Sequence, residues 1–242
     1  MKQYLLIMLF SLVGVCSFGQ KVTDADFTYP IKPGEDKWEK MYSVQERIAS
    51  LQIPENVLPK ISTERLLDIC LDYPYLVDVM FYDDFQKGIE VLRSNFNGFD
   101  ELLNRKDLGK YVLAKDKKFP LELDEIKDKS EIEKGKFSFQ CFVLELILAQ
   151  DNVLTSLNNN EEKELLDITI QNMELKTNQT DIFSSISMLP AYLLYAKKAL
   201  TDSKFKFTDS KQQSAVKEFV NSPLNIDDNI IECVEGYVKN KK

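Results

Sequence analysis

Glycine scarcity is the strongest constraint on what this chain can fold into. The 242 residues include eight glycines, and two of them, Gly14 and Gly19, fall within the first nineteen positions. Only Gly34, Gly88, Gly98, Gly109, Gly135 and Gly236 serve the rest of the chain, well below an average usage of about 7%. All-β proteins place turn glycines between their many short strands, and this chain cannot. Its apolar residues recur at helical spacing instead. Ile226, Ile230, Ile231, Val234, Tyr237 and Val238 form one helical stripe near the C-terminus. Asn225 can cap that helix. Asp227 and Asp228 in the first turn, and Lys239, Lys241 and Lys242 after the last, complement its dipole.

The same reading extends along the chain. Ser43-Val44-Gln45-Glu46 is a capping-box sequence for a helix that stops near Ile53, because Pro54 keeps its predecessor out of the α region. Ser62 caps a helix to about Asp72, stopped by Pro74. Residues 75–94 read as helical with a break at Asp83-Asp84, and Asn97-Gly98 as a turn. Phe99 to about Lys118 reads as one or two helices ended by Pro120. Residues 115–136 hold fourteen charged residues, seven of each sign. They read as a solvated connector or exposed helix, a hinge between lobes of about 35–119 and 130–240. Phe137 to Asn152 is nearly all apolar, and Asn158-Asn159-Asn160 makes a loop. Helices at about 161–176, 181–200, 209–221 and 226–239 complete the chain.

Short connections predict antiparallel neighbours. Leu66-Leu67-Asp68-Ile69 recurs as Leu165-Leu166-Asp167-Ile168, an echo of four common residues that chance explains better than duplication. The expected fold is all-α, about eight to ten helices in a single domain over residues 20–242, built as stacked antiparallel helix pairs in a short α-solenoid-like array. A compact helical bundle is the alternative.

The first nineteen residues read as a secretory signal peptide. Lys2 is their only charge, Tyr4 to Val15 is a predominantly apolar run, and Ser17-Phe18-Gly19 supplies a cleavage site before Gln20. Twelve residues rise only about 18 Å as a helix, too little for a hydrocarbon layer of about 30 Å. A buried N-terminal helix is the plainer reading of the same run. Val13-Gly14-Val15-Cys16 resembles a bacterial lipobox, which would make Cys16 a lipid anchor, but Val15 stands where a small residue is usual. The expectation is an exported protein, periplasmic or extracellular, with a lipoprotein as the minor alternative. Cys70, Cys141 and Cys233 are too few and too widely spaced for a disulfide framework, and read as small core residues.

Ser43-Val44-Gln45-Glu46-Arg47, Gln52-Ile53-Pro54-Glu55, Ser62-Thr63-Glu64, Cys70-Leu71-Asp72-Tyr73-Pro74 and Phe96-Asn97-Gly98-Phe99 together resemble a family of uncharacterised secreted helical proteins of Bacteroidetes-type bacteria. The resemblance covers roughly residues 30–110. It implies an exported helical product of a multi-copy family, with no assigned activity and no catalytic residue to carry across.

Composition closes several chemistries. The chain has no histidine, so Ser-His-Asp and Cys-His nucleophile systems, H-E-x-x-H zinc sites and His-ligated haem cannot be built from it. Its net charge is −8, and only Arg47, Arg65, Arg93 and Arg105 are arginines. Both facts argue against nucleic acid and anionic membrane surfaces as partners. No run after the signal approaches 18 apolar residues, so no transmembrane segment is expected there. Ser203-Lys204-Phe205-Lys206 and Ser214-Ala215-Val216-Lys217 match S-x-x-K, but no Ser-Asp-Asn or Lys-Thr-Gly follows. Asn95-Phe96-Asn97-Gly98 fails as a calcium loop, because Arg93 falls at the first ligand position. No Cys-x-x-Cys pair exists. No cofactor, metal ligand or catalytic residue is nominated.

Carboxylates remain. Asp68, Asp72, Asp78, Asp83 and Asp84 lie among Tyr73, Tyr75, Phe81, Tyr82, Phe85, Phe96 and Phe99. Rings beside acids suit sugar binding, so Asp72, Tyr73, Tyr75, Asp78, Tyr82, Asp83 and Asp84 form the candidate ligand-binding set. The plainer reading makes the rings core and the acids solvated. Glu145 is the one charge between Lys136 and Asp151. Buried, it would be a general-acid candidate. With Ser138, Cys141, Ala149, Asn152 and Ser156 it also reads as the one solvent-facing or close-packed edge of a greasy helix. The expected function is a non-enzymatic envelope or extracellular interaction protein, binding a protein or glycan partner through a helical surface. A carboxylate-based, glycoside hydrolase-like enzyme is the alternative, and an inhibitor or immunity-type protein a third class.

Overall fold

The computed structural model describes residues 27–82 and 84–241. The expected leader, Cys16 and Asp83 lie outside the described residues. Among those described there are thirteen α-helices, three 3-10 helices and no strand. The α-helices are α1 (Asp36–Glu39), α2 (Val44–Leu51), α3 (Thr63–Leu71), α4 (Phe85–Asn95), α5 (Asn97–Asn104), α6 (Leu108–Asp116) and α7 (Phe119–Ile126). They continue as α8 (Glu131–Leu148), α9 (Asp151–Ser156), α10 (Asn159–Thr177), α11 (Leu189–Thr201), α12 (Ser210–Asn221) and α13 (Asp228–Lys239). The 3-10 helices span Leu58–Lys60, Leu76–Phe81 and Ser185–Met188. The protein is all-α.

Local chemistry explains the boundaries. The Ser43 hydroxyl accepts from the Glu46 N–H at 3.1 Å, and the Ser62 hydroxyl from the Arg65 N–H at 3.3 Å, opening α2 and α3. Ser130 with Glu133, and Asn158 with Glu161, form reciprocal capping boxes on the two longest helices. α13 is capped by Asp227, which accepts from the Ile230 N–H at 2.9 Å, rather than by Asn225. Asn97-Gly98 opens α5 instead of making a free turn. The Asn97 amide clamps Ile53, accepting from its N–H at 3.0 Å and donating to its carbonyl at 2.7 Å. A Cβ at Gly98 would come within 2.4 Å of the Phe96 ring, so glycine is what lets the two pack.

Residues 115–136 differ from the solvated connector expected of them. They hold the end of α6, all of α7 and the start of α8, and Phe119 and Leu123 turn inward from α7. With Cys141, Ile182 and Phe183 these form a small second core. The main core is one cluster whose members range from Phe27 to Val238. α8 is its hub, packing against α3, α6, α7 and α11, while α11, α12 and α13 pack on one another. Cys70, Cys141 and Cys233 are buried free thiols, and burial raises the pKa of each. Among the described residues no helix is long and apolar enough to cross a membrane.

Candidate functional site

α3 ends at Leu71, ahead of Pro74, and the segment before α1 crosses over that end. Where the first half of α8 packs alongside, the three leave a cavity of about 520 Å³, within the range of ligand sites. Its apolar wall includes Ile69, Leu71, Leu76, Val77 and Phe139, together with Tyr29 and Tyr73. Among the described residues, its charged rim holds Lys32, Arg65 and Lys136 against a single acid, Asp72.

Each polar group around it is placed by an adjacent element. Asp72 is the C-cap residue of α3, and its N–H bonds the Asp68 carbonyl at 3.0 Å. Lys136 and Gln140 stand one turn apart on α8, and both reach the same Asp72 oxygen, at 2.8 Å and 2.9 Å. Gln140 also donates to the Leu71 carbonyl at 3.0 Å. The Tyr29 hydroxyl donates to the Ile69 carbonyl at 2.8 Å, and Arg65 to the Phe27 carbonyl at 3.0 Å. The Tyr73 hydroxyl is buried with no hydrogen-bond partner among the described residues. Burial pushes the Tyr29 and Tyr73 phenols up.

Of the candidate set, Asp72 and Tyr73 line this cavity; the other described members stand elsewhere. Tyr73 stacks on Phe96 with ring centroids 4.6 Å apart, so that face of its ring belongs to the core. Tyr75 stacks on Trp38 at 5.5 Å. Asp78 is half-buried in the 3-10 helix Leu76–Phe81, where burial raises its carboxyl. Tyr82 carries the Lys87 ammonium over its ring at 5.3 Å. Asp84 caps α4, accepting from the Gln86 N–H at 2.8 Å. Asp68 pairs with Lys115 at 3.0 Å. The described members therefore do not share one groove. Lys32, Lys136 and Gln140, which do share the cavity, escaped the sequence reading because they come from elements remote in sequence.

A second polar cluster lies in the interior. Glu145, on the edge of α8 with Cys141 and Ala149, faces inward rather than to water. Its Oε1 lies 2.5 Å from the Lys176 ammonium of α10, and Lys176 is 0% exposed. Lys176 also reaches the Ser187 carbonyl at 3.4 Å and sits over the rings of Phe119 and Phe183, at 5.7 Å and 5.6 Å. Asn172 donates to the Asp116 carbonyl and carboxylate at 3.2 Å and 3.1 Å. One carboxylate oxygen each of Asp116 and Glu145, and the Asn172 carbonyl oxygen, have no partner among the described residues. Burial, then the Glu145 charge, push the Asp116 carboxyl up to about 7, while Lys176 and Asn172 pull it down. Burial raises Glu145, and Lys176 opposes that. With both carboxylates enclosed, this cluster joins helices and offers a substrate no access. The sequence signal was the lone charge in an apolar stretch, which needs a counterion when buried.

A larger groove of about 760 Å³ lies along α10 and α11. There Lys198 pairs with Glu162 and Lys241 with Asp202. Among the described residues no three acids or cysteines gather as a metal site. Comparison with family models, curated proteins and solved structures finds no match to this chain.

Proposed function

We propose that this chain is an exported, non-enzymatic binding protein that holds a protein partner in the cavity between α3 and α8. The observation that carries the reading is an apolar cavity of about 520 Å³ under a rim of charged and hydrogen-bonding groups, the usual composition of a binding pocket. The apolar leader run supports export. The hydrolase alternative has less support. A glycosidase needs two carboxyl groups about 5–10 Å apart in one cleft, and Asp72 is the one acid among the described lining residues.

Thermal unfolding against a panel of short peptides and oligosaccharides tests the reading. A ligand at about 100 times its dissociation constant stabilises by about 2.7 kcal/mol, which moves the midpoint by several degrees. Val77 is an exposed residue of the cavity wall, so Val77→Arg should abolish a peptide shift without unfolding the protein. A shift that survives this change overturns the assignment. The exported sample should have the intact mass of a chain beginning at Gln20, and an uncleaved or lipidated mass would overturn that part.

A further inference from the structure

The cavity's charges indicate what kind of partner it takes, an inference that rests on the binding reading above. The chain as a whole is acidic, with a net charge of −8. Among the described residues that line this cavity the balance reverses, with Lys32, Arg65 and Lys136 against Asp72. The one acid is already engaged. Lys136 and Gln140 converge on a single Asp72 oxygen, at 2.8 Å and 2.9 Å. Two donors one helical turn apart, aimed at one carboxylate oxygen, make a carboxylate-binding arrangement that the protein's own Asp72 fills. The Lys136 side chain is 63% exposed, and an ion pair this exposed is weak and exchanges readily. The Lys32 ammonium has no ion-pair partner among the described residues.

The rest of the cavity discriminates between carriers of a carboxylate. A sugar needs an open ring face to lie on, but Tyr73 is stacked on Phe96 and Tyr29 packs edge-on against Phe27 at 5.5 Å. Of the remaining wall, Phe139 is stacked on Phe142 at 5.9 Å, while Ile69, Leu71 and Leu76 are aliphatic and Val77 exposes an apolar side chain. That suits an apolar side chain better than a pyranose.

We propose that the cavity takes an acidic peptide segment, with an apolar side chain against Ile69, Leu76 and Phe139 and a neighbouring carboxylate held by Lys32 and Lys136 in exchange for Asp72.

The test uses two capped dipeptides, acetyl-Phe-Glu-amide and acetyl-Phe-Gln-amide, which match in size and differ in charge. Each is titrated to millimolar concentration into isotope-labelled protein while backbone amide resonances are followed. The acidic peptide should shift the amides of residues 69–77 and bind about fivefold to tenfold more tightly than its neutral partner. The preference should vanish in the Lys32→Gln/Lys136→Gln double variant, whose sites are exposed, and fall as salt rises. Asp72→Asn, which frees Lys136, should tighten the acidic peptide by a few-fold. Equal binding of the two peptides at these amides overturns the charge argument and leaves the cavity as a binding site. A preference that survives the double variant overturns the assignment of Lys32 and Lys136. Shifts with galacturonate but with neither peptide overturn the peptide occupant. If no probe shifts these amides, the binding reading falls as well.

Discussion

Lys176 is enclosed by two carboxylates, a backbone carbonyl and two aromatic rings. That places one positive charge against two acids in a region closed to water. Three oxygen acceptors there lack a donor, and unsatisfied buried acceptors are costly. A proton on Asp116 corrects both imbalances, supplying a donor and neutralising the second acid. The folded-state carboxyl titrates near 7, against an ordinary value of 3.8. Its contribution to stability is therefore fully present below about pH 4 and is lost as pH rises through about 7. Glu145, also raised, acts in the same direction. The chain has no histidine, so no side chain with an ordinary pKa near neutrality obscures this window. Stability from urea unfolding should fall between pH 5 and pH 8 by on the order of 2 kcal/mol. Asp116→Asn, which keeps the shape and cannot ionise, should flatten most of that slope. Parallel slopes in the two proteins would show that Asp116 does not carry the proton. Glu145 is legible in the sequence through its isolation among apolar residues. Lys176 is not, because it looks like any other lysine of a charged helix until α8 and α10 are brought together.

Glycine exposes the difference between a helix and a helix in its place. Gly88 lies inside α4, where alanine is intrinsically better by about 0.5–1 kcal/mol. Yet a Cβ there would sit 2.5 Å from the Val79 carbonyl oxygen and 2.9 Å from a Val79 methyl, because the 3-10 helix Leu76–Phe81 packs directly on α4. Gly135 lies inside α8 with nothing within 4 Å of the same added atom. Gly88→Ala should therefore destabilise by about 1–3 kcal/mol, and Gly135→Ala should stabilise by about 0.5–1 kcal/mol. Chemical denaturation of the two variants reads both signs. Matching signs would mean that the contact at Val79 relaxes easily. The helix starts legible in the sequence are those set by local chemistry at Ser43 and Ser62, whereas Asp227, read as a first-turn residue behind an Asn225 cap, is itself the cap of α13. Prolines were harder. Pro120 reads as a stop after α6, but it occupies the first turn of α7, where its missing N–H is not needed. Balanced charge across residues 115–136 concealed Phe119 and Leu123, four apart, which turn that segment inward.

At the scale of the whole molecule, the charged stretch suggested a hinge between two lobes, and the packing offers a physical reason to expect one cooperative unit. One core cluster extends from Phe27 to Val238. α8 crosses it, packing on α3 and α6 from the first half and on α11 from the second. The Phe142 ring of α8 meets Phe85 of α4 edge to face at 5.4 Å. Separating the halves would expose both sides of α8, at about 25 cal/mol per Å² of apolar surface. Two reporters stand far apart in sequence. Trp38, the only tryptophan, is buried and stacked on Tyr75. Cys233 is buried on α13. In a urea titration, Trp38 fluorescence and mass-mapped thiol labelling of Cys233 should give the same midpoint and the same slope, as a two-state transition requires. Two separate midpoints would mean that α12 and α13 open without the first half, and the molecule would then be two lobes that share α8. The cavity proposed to take an acidic peptide is lined from α3 and α8 together, so the same titration bears on the site. If the halves are one unit, a bound peptide should raise both midpoints equally.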